Sequence, residues 1–400
     1  MANGADLLIR AARSPADDRP IDVRVEDGRI TALGSRLTAP PGTPVLEAAG
    51  RLLIPGLVDS HLHLDKTLMG EPWVPLPAAR DLAGRIAAQD RVLGDPARRP
   101  TAERAAALVR SALGFGTTAL RSHVDVTPEI GLRGVEALLR VREQFAGLVD
   151  IQLVAFPQKG VVQAPGTEAL LDEALGLGVE VLGGIDPGGI DRDVEGHLRC
   201  LFRLAARHGA ELDIHLHDPG HLGGFELERI AAWTRAEGFG RRVTVSHAYA
   251  LGELPDAERL RLMERLAGAG ITIMTNGSGV SAIPRVRELW ATGVRLAIGS
   301  DNVHDPWWPW GRGDMLERAF LVSYRNGLRT DPELRRALEA ATLVGGELLG
   351  LGPYGLAVGA RADLVVVDAE CAPEAVAAHP PRLAVIKGGK VVAEAPTGSA

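Results

Sequence analysis

The sequence predicts a (β/α)8 TIM barrel carrying a small β-sandwich domain formed by both termini. Three observations lead there. Between residues 52 and 351, eight short apolar runs alternate with longer segments rich in Ala, Leu, Arg and Glu. Repeated βα units imply a parallel sheet, and eight of them fit a closed barrel. Both ends of the chain read instead as short strands with tight turns. Finally, seven of the eleven histidines fall at or just past the ends of the apolar runs, where a barrel keeps its chemistry.

The N-terminal stretches "DLLIRAA", "IDVRVEDGRITALGS" and "TPVLEAAGR" carry β-propensity, and Asp27-Gly28 is a hairpin signal. The barrel strands follow as "LIPGLVDSHLH", "TALRSHVDV", "IQLVAF", "VEVLGGID", "ELDIHLH", "RVTVSHA", "ITIMTN" and "VRLAIGSD". Segments such as "TAERAAALVRSALGFG" and "DAERLRLMERLAGAG" between them read as helices. The last forty residues return to strands, "ADLVVVDA" and "RLAVIKGGKVVAEA", with a Gly388-Gly389 turn and no helical periodicity. Residues 1–51 with 352–400 form the expected small domain, and 52–351 the barrel. A doubly wound open sheet is the competing architecture, but no Gly-rich phosphate fingerprint follows the first strand.

Composition narrows the partners. The chain has 400 residues, 46% hydrophobic and 24% charged, as an ordinary globular protein does. A net charge of −7 and the lack of a basic, aromatic-interleaved patch disfavour nucleic acid and anionic membranes. The two cysteines, Cys200 and Cys371, lie far apart and suit a reducing compartment. No secretory leader pattern opens the chain, and no run of about 18 apolar residues occurs. The expectation is a cytoplasmic protein acting on a small molecule, as a monomer or a homo-oligomer.

The first barrel run ends in His61 and His63. Residues two apart on a strand face one side, so both imidazoles point at one spot. H-x-H alone is weak evidence for a metal. The second run ends in His123 and Asp125, the fifth in His215, His217 and Asp218, the sixth in His247, and the eighth in Asp301 and Asn302. A divalent ion held by three imidazoles and a carboxylate keeps room for a water, whose pKa it lowers toward about 7. A neighbouring carboxylate can take that proton, and a further histidine can orient the nucleophile. His61, His63, His215, His247 and Asp301 supply these parts. His123, Asp125 and Asn302 are candidates for supporting or substrate contacts.

The segments "HLHLDK", "RSHVDV", "LVAFPQ", "DIHLH", "VTVSHA" and "SDNVHDPWWPWGRGDML" together resemble the amidohydrolase superfamily. The resemblance is closest to its cytosine deaminase-like branch, which includes isopropylammelide-type aminohydrolases. It implies one Zn or Fe ion on His61, His63, His215 and Asp301, with His247 beside the attacking water. It further implies that Gln158 hydrogen-bonds the substrate ring and that Trp307 lines the pocket. Binuclear relatives bridge two metals with a lysine of the fourth strand. The four lysines here, Lys66, Lys159, Lys387 and Lys390, all lie elsewhere, which favours a single ion. Lys66 is either a pocket-rim residue or a solvated loop lysine.

One departure bears on the chemistry. The branch carries a glutamate three residues after the fifth-strand histidine, as proton shuttle, and here that position is Asp218. If the strand runs straight, His217 shares the face of His215 and takes the role. If it bends, Asp218 does, and the matching offset favours Asp218. Of the other histidines, His197, His208 and His379 read as surface residues. "GIDPGGID" reads as a tight loop at the barrel mouth, and His221 and Asp314 as loop residues without a role. The expected activity is metal-dependent hydrolysis of a non-peptide C–N bond. Deamination of a small nitrogen heterocycle or cyclic amidine leads. Hydrolysis of an amide, lactam or N-substituted heterocycle without ammonia release is the alternative.

Overall fold

The computed structural model describes residues 5–79, 82–277, 279 and 281–394. Its N-terminal strands are β1 (Leu7–Arg13), β2 (Pro20–Glu26), β3 (Arg29–Gly34), β4 (Val45–Glu47) and β5 (Leu52–Pro55). Eight parallel strands follow: β6 (Leu57–Leu62), β7 (Thr117–Asp125), β8 (Asp150–Phe156), β9 (Val181–Ile185), β10 (Glu211–Leu216), β11 (Val243–His247), β12 (Thr272–Thr275) and β13 (Arg295–Ile298). The chain ends with β14 (Leu364–Val367), β15 (Arg382–Lys387) and β16 (Lys390–Glu394).

β6 to β13 pair in sequence order, and helices intervene along the chain, as βα units demand. Almost every residue of these strands is buried, because helices cover one face and the barrel interior fills the other. The barrel nearly closes where β6 meets the residues after β13. There the Asp301 amide donates to the His61 carbonyl at 2.7 Å, and the His63 amide donates to the Asp301 carbonyl at 3.0 Å. Gly299 permits that approach, since a Cβ there would stand 2.7 Å from the His61 backbone oxygen.

The terminal strands form a separate mixed sheet in the order β16-β15-β14-β5-β1-β2-β3, with β4 also pairing β1. Asp27 and Gly28 both take positive φ, 48° and 72°, as the β2–β3 hairpin turn needs. Leu7, Ile9, Val23, Val25, Leu53, Leu364 and Ile386 build its core.

Two readings differ from the structure. The run from Leu53 to His63 is two strands: Leu52–Pro55 pairs with β14, and Leu57–Leu62 enters the barrel after Gly56. The mark of the change of sheet is the Pro55-Gly56 pair, a turn signal set inside an otherwise apolar run. The C-terminal segment also contains a helix, Ala372–Ala378, whose seven residues are too few to establish a period. Among the described residues no helix is long and apolar enough to cross a membrane. Both cysteines are free thiols.

Candidate metal centre and catalytic cavity

His61 and His63 come from the end of β6, His215 from β10, and Asp301 from just beyond β13. One ligand-capable atom from each of the four lies within 4.8 Å of the others, and all four residues are buried. Asp301 Oδ1 stands 3.5 Å from both His61 Nε2 and His63 Nε2, and His63 Nε2 stands 3.4 Å from His215 Nε2.

Ser246 Oγ donates to Asp213 Oδ1 at 2.7 Å, so it accepts from His61 Nδ1 at 2.9 Å. One proton is then on Nδ1, which leaves Nε2, the atom facing Asp301 Oδ1, as the one that can meet an ion. His61 Nε2 is buried and unpartnered. Burial, with the like-signed neighbours, holds His63 and His215 far below the ordinary histidine pKa, so they are neutral. Converging lone pairs and an anion repel unless a cation sits among them, so the donor set fits a divalent ion. Burial opposes ionisation of Asp301, but His247 and His61 outweigh it and keep the carboxylate charged. Asn276 Nδ2 donates to Asp301 Oδ2 at 2.7 Å and fixes its plane.

A small cavity opens on this cluster. His63, His215 and Asp301 form its floor, with Lys66, Gln158, His217, Asn302 and Trp307 around it. Phe156, its ring 4.1 Å from that of His215, completes one wall. Lys66 is only 2% exposed, so it is not a solvated loop lysine. Its ammonium donates to Gln158 Oε1 at 2.6 Å and pairs with Asp125 Oδ1 at 3.0 Å. Burial would discharge it, but Asp125 and Asp65 reverse that and raise its pKa. Asn302 lines the cavity while its amide nitrogen donates to Asp305 Oδ2 at 2.6 Å.

His217 and Asp218 part company. His217 lines the cavity, stacked on His247 at 4.5 Å, with Nδ1 2.8 Å from Asp186 Oδ2. Burial would keep it neutral, but Asp186 wins and raises its pKa above the ordinary value. The Asp218 carboxylate turns the other way, accepting from the Gly189 amide at 2.7 Å beside Glu226. His247 has both ring nitrogens buried without partners and a backbone φ of 72°, an uncommon conformation for a side chain with a Cβ. His123 lies beneath the cluster rather than in the cavity, its ring 4.0 Å from that of His61 and its Nε2 3.6 Å from Asp213.

Other residues fall outside the site. Exposed His221 pairs with Glu258 at 3.2 Å. Asp314 caps the helix Met315–Asn326 and pairs with Arg382. His197, expected at the surface, is fully buried, because Asp191 Oδ2 meets its Nδ1 at 2.6 Å. Sequence reasoning passed over Asp186, Asn276, Ser246 and Asp213. Asp186 and Asn276 stand just past the ends of β9 and β12, so the strand-end rule alone would have flagged them.

The amidohydrolase family model matches residues 45–393. The chain belongs to this family. Among solved structures, the amidohydrolase is similar to N-isopropylammelide isopropylaminohydrolase from Burkholderia multivorans ATCC 17616, at 42% identity over 98% of each chain, TM-score 0.93. A second is 5-methylcytosine deaminase from Klebsiella pneumoniae liganded with phosphonocytosine, at 31% identity over 98% of this chain and 99% of that one, TM-score 0.87. A curated relative, N-isopropylammelide isopropyl amidohydrolase of Pseudomonas sp. (strain ADP), is 32% identical over 400 residues, 98% of each. The amidohydrolase is thus a metal-site hydrolase of C–N bonds whose relatives are aminohydrolases and deaminases of heterocycles.

Proposed function

We propose that the protein hydrolyses the exocyclic C–N bond of an N-alkylated ammelide-type ring, a dioxo amino-triazine, releasing an alkylamine. One observation carries this: two donors, the Lys66 ammonium and His217, whose pKa Asp186 raises, flank the same cavity beside the His61–His63–His215–Asp301 cluster. The Lys66 ammonium suits a ring carbonyl oxygen or a ring anion, and the His217 proton, on another side, suits a departing amine nitrogen. The 42% identity to an N-isopropylammelide aminohydrolase supports the same reading. Deamination of a cytosine-like ring is the second reading, favoured by the likeness to 5-methylcytosine deaminase.

His61, His63, His215 and Asp301 would hold one divalent ion, zinc or iron. When bound, it supplies Lewis acidity and makes water a nucleophile at neutral pH. Asp301, ionised and fixed by Asn276, takes the water's proton. His247, its ring 5.3 Å from His61, orients the water from the other side. Lys66 and Gln158 hold one edge of the ring through a carbonyl oxygen and its neighbouring nitrogen, and Trp307 covers its face. An amine anion is a poor leaving group, so the departing nitrogen needs a proton, which His217, in the cavity lining and with its pKa raised by Asp186, would donate.

The test is incubation of metal-loaded protein with N-isopropylammelide, ammelide and 5-methylcytosine. Isopropylamine and the trioxo triazine are expected from the first, at the highest kcat/KM. Ammonia from 5-methylcytosine with no turnover of N-isopropylammelide would overturn the reading.

A further inference from the structure

Gln89 lies on the helix Leu82–Leu93, away from every strand end, yet it is only 2% exposed. Its amide meets two partners of opposite kind. Trp307 Nε1 donates to Gln89 Oε1 at 2.5 Å, and Gln89 Nε2 donates to Asp125 Oδ2 at 2.9 Å. An indole can only donate and a carboxylate only accept, so the orientation of the amide is fixed by its neighbours. Asp125 Oδ1 in turn pairs with Lys66, which bonds Gln158. A continuous chain therefore runs Trp307–Gln89–Asp125–Lys66–Gln158 along one wall of the cavity.

Gln89 and Asp125 do not line that cavity. Both line a second, polar one on its far side. They are the partition between the two.

We propose that Gln89 is a positioning residue: its amide, as donor to Asp125 and acceptor from Trp307, sets the wall that orients the substrate ring. The inference rests on the substrate-binding role proposed for Lys66, Gln158 and Trp307. An amide or a protonated carboxyl offers both a donor and an acceptor at the end of a side chain of this length. A carboxylate at position 89 would face Asp125 as a like charge and leave it without its donor. The charged groups around it are Asp125, Asp65 and Lys66 at the strand ends and Asp90 beside it on the helix. Across the outer cavity stand Arg104, Arg133 and Lys159, the last paired with Asp90 and Glu129 at 3.4 Å each, and Asp305 lies behind Trp307. Asp125 and Asp65 are the nearest of these in the network, so the introduced carboxyl would titrate well above its ordinary pKa.

The test compares Gln89→Glu and Gln89→Ala with the wild type, metal-loaded, on N-isopropylammelide from about pH 5.5 to 8.5. At high pH, Gln89→Glu should raise KM at least about tenfold with kcat and metal content little changed, the signature of lost uniform binding. On acidification its deficit relative to wild type should shrink, because the protonated carboxyl restores both hydrogen bonds. Gln89→Ala should show no such rescue. A readout without substrate accompanies this: the Trp307 indole N–H resonance, assigned by its loss in Trp307→Phe, should titrate in Gln89→Glu and not in wild type. A KM within about twofold of wild type at high pH, a deficit indifferent to pH, or an indole signal that does not titrate would overturn the proposal. If N-isopropylammelide is not turned over, the functional reading fails, and the indole titration still decides the role of Gln89.

Discussion

Asp301 and His61 are joined through the backbone as well as through the candidate metal centre: the Asp301 amide donates to the His61 carbonyl at 2.7 Å while their side chains face each other at 3.5 Å. The seam between the first and last barrel strands is thus made by the residues that would hold the ion. Asp301 keeps φ at 62°, a costly conformation that the surrounding contacts must hold. An ion linking β6, β10 and the segment after β13 would stabilise that seam.

His61→Ala, or removal of metal by a chelator, is therefore expected to abolish activity and also to lower Tm. With free ion at about 100 times its Kd, linkage supplies about 2.7 kcal/mol, roughly 3 °C for a chain of this size. Elemental analysis with thermal melts of holo and chelated protein checks both. Unchanged Tm on complete metal removal would separate the seam from the site.

His247→Ala should keep its metal, because His247 is not one of the four converging residues. Turnover should fall at least about 10²-fold, as on loss of an acid–base or orienting group. Metal loss together with activity would make His247 a ligand.

How far the site was legible in advance depended on where each residue stands. His61, His63, His215, His247 and Asp301 end strands of the barrel and are types that bind metals or move protons, so position and chemistry pointed the same way. Asp186 and Asn276 hold comparable positions, but a lone Asp in a Gly-rich loop or a lone Asn carries no metal-type spacing. Gln89 gave no signal: it reaches the wall from a helix, through partners 36 and 218 residues away. His197 went astray because helical histidines are usually exposed, and only the fold brings Asp191 to it. The barrel itself was readable because eight doubly buried strands leave eight apolar runs.

Glu226 is fully buried, and burial together with Asp218 pushes its carboxyl up to about 8. A folded-state pKa above the unfolded value means the native state binds more protons. Stability from this group is then complete below its unfolded pKa of about 4.3 and is lost as pH rises through about 8. Glu226→Gln, which keeps an acceptor for the Gly188 amide, should raise Tm more at pH 8 than at pH 5. If about 1 kcal/mol of the penalty survives relaxation, the gain is about 1 °C. Thermal melts at both pH values check it. An equal or opposite change would mean that Glu226 is already ionised in the folded protein.

Asp186 outweighs burial in raising the pKa of His217. Donation by His217 requires its proton, so that step is available below the raised pKa and fails above it. Asp186→Asn removes the largest of the effects that oppose burial and leaves only Asp301 and Asp218 against it. The alkaline limb of kcat should move down by at least about one pH unit. A limb that stays in place would assign it to another group.

The choice between His217 and Asp218 is the sharpest test of the proton's route. The offset from His215 pointed to Asp218, yet Pro219 follows it and the strand carries His217 to the cavity instead. There His217 lies against His247 with Asp186 behind it, whereas the Asp218 carboxylate is occupied by the Gly189 amide and Glu226. Asp218→Asn should therefore keep kcat within about threefold of wild type, since it leaves every group around the reacting nitrogen in place. His217→Gln keeps a polar side chain in the cavity but has no proton to give at neutral pH, and should lose about 10²–10⁴-fold in kcat. Both variants are assayed at saturating metal on N-isopropylammelide, with metal content measured alongside. The reverse pattern, a silent His217→Gln and a crippled Asp218→Asn, would require the loop to turn Asp218 into the cavity on substrate binding. That would return the proton to the carboxylate three residues past the metal histidine.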